Sequence, residues 1–199
     1  MRSVRLRRPS RAQLAALLAQ RADAPQSYAE VGISLEDVAP PRGWGQSVGR
    51  RSLGSGEQVW LAAREALLAW DAHRGARVRV EPPAAPLAVG TVVAVTAGAP
   101  LGAIVGVCRI VRVVDEPHRF GFAYGTVPPH PEVGEESFLV TRDPVSGEVV
   151  FTARSVSRAV ALLARLAPPL ARLAIAGYTR AYARAVSRST ASRSEGRSR

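Results

Sequence analysis

A histidine fixed between prolines, with three carboxylates close behind it, is the densest group of reactive side chains in this chain. The run HRFGFAYGTVPPHPEVGEESF, residues 118–138, places His130 inside Pro128-Pro129-His130-Pro131 and follows it with Glu132, Glu135 and Glu136. Proline fixes φ at about −65°. The loop therefore has little freedom, and holding one imidazole in place for binding or proton transfer costs little entropy. A His–Glu pair suits general-base work, and Tyr124 on the preceding segment offers an acid or oxyanion donor. No nucleophile stands beside them in the sequence. A metal centre would need more ligands: the chain has three histidines, no two at ligand spacing, so neither a metal nor a cofactor is expected. The plainer alternative is structural, with His130 bonding a backbone carbonyl and Glu135 capping the turn at Gly134. His130, Tyr124 and Glu135 are the candidate catalytic groups.

Two further sets of residues suggest binding. In an extended segment Phe120, Phe122 and Tyr124 share one face while Gly121, Ala123 and Gly125 share the other. The aromatic face either shapes a pocket or packs in a core, and the polar tips of Tyr124 and Thr126 lie at the end of the strand, where pockets open. In the run before it, Arg109 shares a face with Val107, Val111 and Val113, while Arg112 shares the other with Cys108, Ile110 and Val114. Whichever face is covered, one guanidinium lies among apolar groups and must be paired or bind an anion. Arg109 is the candidate. Glu135 or Glu136, or a ligand carboxylate or phosphate, would satisfy it.

The elements that would position these groups follow from periodicity. Ser10 with Gln13 forms a capping box for a short helix carrying Leu14, Leu17 and Leu18, ending before Pro25. A Pro/Gly-rich connection leads to a strand around 48–53. Ser55 with Gln58 then caps a helix whose buried face is Val59, Ala63, Ala66, Leu67 and Trp70. From Arg77 the period becomes two. RVRVE, GTVVAVTA, AIVGVCRIVRVVDE, RFGFAYGTV, SFLVTRD and EVVFTARS predict six consecutive antiparallel strands, with DPVSGE a clear hairpin turn. After Ser157 a long helix is predicted, its face marked by Val160, Leu163, Leu166, Leu170, Leu173 and Tyr178 and kinked at Pro168-Pro169. His73 and His118 fall at turns and read as solvated, and Cys108 reads as a small core residue.

Length and charge set bounds. With 199 residues, 47% of them hydrophobic, the chain fits one domain with modest extensions. Its net charge of +11 sits mostly at the ends: residues 1–11 contribute +5 and residues 188–199 contribute +3, leaving +3 for 12–187. All 27 cationic side chains are arginine, which fits codon bias better than a binding face. The ends lack aromatic interleaving, so nucleic acid is not the expected partner. No stretch has the ~18 apolar residues of a membrane helix, and the Arg7-Arg8 start makes a poor export signal, so a cytoplasmic protein is expected.

Segments SYAEVG (27–32), PPRGW (40–44), RSLGSGEQVW (51–60), VRVEP (78–82), GTVVAV (90–95), the block 108–138 and VSR (156–158) together resemble an uncharacterised bacterial and plant domain-of-unknown-function family. That family is grouped with the helix-grip folds, alongside lipid-transfer and plant-allergen-like proteins. Its most specific signature reads GFAYGT-x3-HP-x2-GEE. The resemblance implies an α+β helix-grip fold: a curved antiparallel sheet of about seven strands wrapped on a long C-terminal helix, here with an extra short N-terminal helix. It supplies no activity. This chain reads Ser157-Arg158-Ala159 where the family has Ser-Arg-Pro, and Ile175 where the family tends to carry glutamine. If those positions contact a ligand, this member binds a different one.

The expected organisation is a basic extension with a short helix (1–26), a helix-grip domain (27–186) and a disordered basic tail (187–199). The expected function is binding a small, largely apolar or amphipathic ligand, bearing an anionic or carbonyl group, in a cavity between sheet and helix. Arg109, Phe120, Phe122, Tyr124, Thr126, His130, Glu135, Glu136 and Arg158 would contact it. The first alternative is an enzyme on the same scaffold using His130, Tyr124 and Arg109 for acid–base chemistry. The second is a protein whose basic ends bind nucleic acid or anionic surfaces. Oligomeric state is left open.

Overall fold

The Ser10 hydroxyl accepts a hydrogen bond from the Gln13 amide at 3.2 Å, and the Gln13 side chain accepts from the Ser10 amide at 2.9 Å. This reciprocal cap opens helix α1 (Arg11–Arg21). The computed structural model of the chain describes residues 4–5, 8–36, 38–99, 102–160 and 168–197. A two-residue strand β1 (Val4–Arg5) precedes α1. After it come β2 (Gly45–Ser55), α2 (Glu57–Leu68), α3 (Asp71–Gly75), β3 (Val78–Glu81), β4 (Val92–Ala99), β5 (Gly102–Glu116), β6 (Arg119–Val127), β7 (Glu132–Arg142), β8 (Glu148–Ala159) and α4 (Pro168–Arg197).

The six strands from β3 to β8 form an antiparallel meander, and β2 joins the far edge against β8, giving the order β2-β8-β7-β6-β5-β4-β3 with β1 on β5. This is the helix-grip fold: a curled antiparallel half-barrel with the long C-terminal helix laid across it. Its clearest local determinant is the β7–β8 turn. Asp143 accepts from the amides of Val145 and Ser146 at 2.9 and 2.7 Å, and Gly147 takes φ 73°, a backbone conformation that costs glycine nothing.

Both faces of the sheet are covered. On the concave side Trp60 and Leu67 of α2, Trp70, and Tyr182 and Val186 of α4 pack against Phe122, Phe138 and Phe151. On the convex side Leu14 and Leu17 of α1 pack on Val105, Val107 and Val127. The C-terminal part of α4 is held at very short range. A Cβ added at Gly49 of β2 would strike the Thr179 carbonyl, and one at Gly75 of α3 would strike Ala185. Small residues there let backbones approach closely.

Several local expectations need correction. No side chain caps α2: its N-cap is Gly56 (φ 93°), so Ser55 and Gln58 form no capping box. The described part of α4 begins at Pro168, so the predicted kink at Pro168-Pro169 falls at the edge of the described residues. Val160 and Leu173 are exposed, not part of a buried stripe. The positions Leu163 and Leu166 lie outside the described residues. The tail is not disordered from residue 187: α4 continues to Arg197, Thr190 is buried, and Asp71 accepts from Ser189 at 2.5 Å and from Arg193 at 2.9 Å. Among the described residues no helix is long and apolar enough to cross a membrane.

Candidate functional site

Alternation along β6 and β7 decides which side chains meet. Tyr124 and Phe122 point to the concave side with Phe138, whereas Gly125 opposes Tyr28 on the convex side. Between the concave face and the first described turns of α4 the sheet leaves a cavity of about 440 Å³. Val95, Ala97 and Ile104 of β4 and β5 form an apolar wall, and Ile175, Tyr178 and Tyr182 of α4 form the opposite one. The polar groups gather on β6, β7 and β8.

At their centre is a relay. The Tyr124 hydroxyl donates to Glu136 Oε2 at 2.7 Å, and His73 Nε2 lies 3.1 Å from the same hydroxyl. A phenol has one proton, so with that proton on Glu136 the His73 Nε2–H donates to the tyrosine oxygen. His73 Nδ1 is buried without a partner. A neutral imidazole tolerates this and an imidazolium does not, and burial lowers the His73 pKa to about 3. Glu136, which lines the cavity, is raised to about 8, first by burial, against the pull of the Tyr124 hydrogen bond, with the nearby Glu132 pushing further up. Burial also raises the Tyr124 and Tyr182 phenols, with the Glu136 charge as the second cause for each.

A second group closes the cavity. His130 Nδ1 lies 3.0 Å from the Glu132 carbonyl oxygen and 3.1 Å from the Glu132 amide. Its other edge rests on Gly106, where any Cβ would strike the ring. Burial lowers this imidazole to about 4, against the opposing effect of the Glu132 backbone contact. Glu132 accepts from Ser157 Oγ at 2.9 Å; burial raises its carboxyl and that hydrogen bond lowers it. Thr126 Oγ1 accepts from the Gly134 amide at 3.1 Å, so its side chain fixes the β6–β7 connection.

Of the nine candidate ligand contacts, the structure brings Tyr124, Thr126, His130 and Glu136 to this cavity through their side chains or strand positions. Four do not belong there. Arg109 is on the convex face, where it donates to the Ala22 carbonyl at 2.6 Å and the Arg21 carbonyl at 3.4 Å, completing the C-terminal end of α1. It pairs with neither Glu135 nor Glu136. Arg158 is exposed. Phe120 packs under the Arg64 guanidinium, 4.1 Å from its ring centroid, and Phe122 stacks on Phe138 with centroids 5.1 Å apart. Both are core.

The ninth, Glu135, contributes to the cavity wall, yet its carboxylate is fully engaged by the segment 28–34. It accepts from Tyr28 OH at 2.6 Å, the Gly32 amide at 2.8 Å, the Ser34 amide at 2.9 Å and Ser34 Oγ at 2.6 Å. It is an anchor for that loop and does not cap the turn at Gly134.

His73 was missed. Read as a solvated turn residue, it is 1% exposed and within ring contact of Trp70, Tyr124, Phe138 and Tyr182. No local pattern signalled this, because Trp70 before it is in the left-handed conformation (φ 58°) outside α3 and the other rings come from β6, β7 and α4.

The family model described as Domain of unknown function (DUF1990) matches residues 27–185. A UPF0548 protein of Deinococcus radiodurans is 35% identical over 190 residues, covering 90% of this chain and 94% of that one. Among solved structures, a hypothetical protein of Helicobacter pylori superposes with TM-score 0.55 at 8% identity over 78% of this chain and 96% of its own. A Streptomyces aromatase/cyclase superposes with TM-score 0.50 at 18% identity over the same shares. A Thermus thermophilus protein gives 0.53 at 10% identity, over 74% of this chain and 98% of its own. At these identities the likeness is one of fold.

Proposed function

Because the chain belongs to the DUF1990 family, whose description names no activity, we propose a function from the cavity itself: the protein binds a small, largely apolar ligand between sheet and helix. The observation that carries this reading is a space of about 440 Å³ with apolar walls and a few convergent polar groups, the usual make-up of a small-molecule site. An interior meant only for stability is filled by its side chains to native density, as Phe122, Phe138 and Phe151 do on the same face. The expected anionic end of the ligand finds no support in Arg109, which serves α1. The polar contacts available among the described residues include Tyr124, His130, Glu132, Glu136 and Ser155.

Native mass spectrometry of freshly purified protein tests the reading, together with Ala97→Trp, which places an indole in the cavity. The expected result is a co-purifying small molecule on the natural protein, absent from a folded Ala97→Trp variant. A protein that carries no small molecule and binds no apolar probe would overturn it.

The relay supports a second reading, an enzyme on the same scaffold. A carboxyl titrating near neutrality beside a phenol is suited to proton transfer. Tyr124 and Glu136 would carry the chemistry, with His130 across the cavity. Arg109 has no part in it.

A further inference from the structure

We infer that the ligand's polar end is an organic ammonium, an amphipathic amine whose cation sits at Glu136 among Tyr124, Tyr178 and Tyr182 with its apolar body along the Val95–Ile104 wall. This rests on the cavity being a ligand site and adds the charge the ligand carries.

The donor and acceptor inventory points that way. Among the described residues three acids line the cavity, all on β7: Glu135 is engaged by the segment 28–34, while Glu132 and Glu136 each have one oxygen held by a hydroxyl, of Ser157 and Tyr124 respectively. Among the described residues no group donates to the second oxygens of Glu132 and Glu136, which become acceptors open to a ligand when the carboxyls ionise. Among the described residues lining the cavity none is a lysine or arginine. Arg109 and Arg154 of the neighbouring strands are directed elsewhere, to Ala22 and to Val38 and Gln46. Among the described residues, the groups that titrate around Glu136 are Glu132 on its own strand, Tyr124 on β6, Cys108 on β5, His73 on α3 and the two tyrosines of α4. His130 lies in the same cavity. Burial keeps both imidazoles neutral at pH 7, so none of these groups supplies positive charge.

An ammonium ion meets every need of this set. It donates to the open carboxylate oxygens, and it is attracted to the faces of phenol rings, of which Tyr178 and Tyr182 form an adjoining pair with centroids 6.3 Å apart. A carboxylate ligand would add a further negative charge beside Glu132 and Glu136 once they ionise, a costly arrangement in largely apolar surroundings. A neutral carbonyl ligand is the remaining rival. It would accept from protonated Glu136, whereas an amine requires that carboxyl ionised. The two therefore depend on pH with opposite signs.

The test uses the intact protein and N-phenyl-1-naphthylamine, uncharged near neutral pH, as a fluorescent reporter of the apolar cavity. Three isosteric competitors displace it: 4-phenylbutylamine, 4-phenylbutanol and 4-phenylbutyrate. The expected order is amine, then alcohol, then carboxylate, with the amine at least about tenfold tighter than the alcohol. Amine affinity should rise about tenfold per pH unit on the acid side of the Glu136 titration, while the alcohol's does not rise. Glu136→Gln should level amine and alcohol. An alcohol or carboxylate that competes as well as the amine, or an amine affinity that falls as pH rises, overturns the ammonium assignment and leaves the cavity reading intact. Failure of the reporter itself to bind overturns both. The competitor ranking on the natural protein decides the matter even if Glu136→Gln does not fold.

Discussion

The hydroxyl of Tyr28 and the carboxylate of Glu135, 107 positions apart, meet at 2.6 Å on the convex side of the sheet. With the Ser34 hydroxyl and the amides of Gly32 and Ser34 they tie an otherwise irregular segment to β7. Replacing Glu135 by Ala leaves these donors buried and unsatisfied. The expected cost is about 3 kcal/mol, a fall in Tm of roughly 10 °C by differential scanning calorimetry. Reporter binding in the cavity should persist in the folded variant, since the carboxylate faces the loop.

Arg109→Ala separates the two roles considered for that guanidinium. As the terminal partner of α1 it should cost about 1 kcal/mol and leave reporter affinity unchanged. A loss of affinity with unchanged stability would mean that Arg109 reaches the ligand after all.

Gly106→Val places a branched side chain where the His130 ring rests. The imidazole must swing out of its seat, so the expected effect is weaker reporter binding, with the His130 C2-proton resonance in the NMR spectrum moving toward its solvated position. The ring's titration should rise from about 4 toward its ordinary 6.5.

Stability should peak between about pH 6 and 7. His73 and His130, lowered to about 3 and about 4, are neutral in the folded chain where the unfolded chain is protonated, so stability increases as pH rises toward 6.5. Glu136 acts in reverse. Raised to about 8 from 4.5, it keeps its proton folded and loses it unfolded, so its contribution is complete below 4.5 and is lost as pH climbs through 8. Below 6.5 the two histidines oppose the one carboxyl, and above 6.5 the carboxyl acts against no histidine. Melting curves of Glu136→Gln should lack the fall between pH 6.5 and 8.

Strand alternation and the hairpin at Asp143 made the meander legible, and the residues of the 118–138 block carried the family. Which face each strand turns inward was not legible, because Arg109 and Arg112 give the two faces of β5 similar patterns. The answer comes from α1, whose Leu14 and Leu17 cover the Val107 face and bring a helix end to Arg109. The same long-range choice hid His73, whose surroundings come from β6, β7 and α4. Glu135 and Glu136 are adjacent in sequence, yet strand geometry sends one carboxylate to a surface loop and the other into the cavity.

The close seats at Gly49 and Gly75 have a consequence for how this scaffold can vary. They grip the terminal helix behind residue 178, while Ala174, Ile175 and Tyr178 just before the grip face the hollow. Exchanges at 174, 175 and 178 can therefore reshape the guest chamber without disturbing the clamp, whereas a single methyl group at 49 would push the helix backbone off its seat.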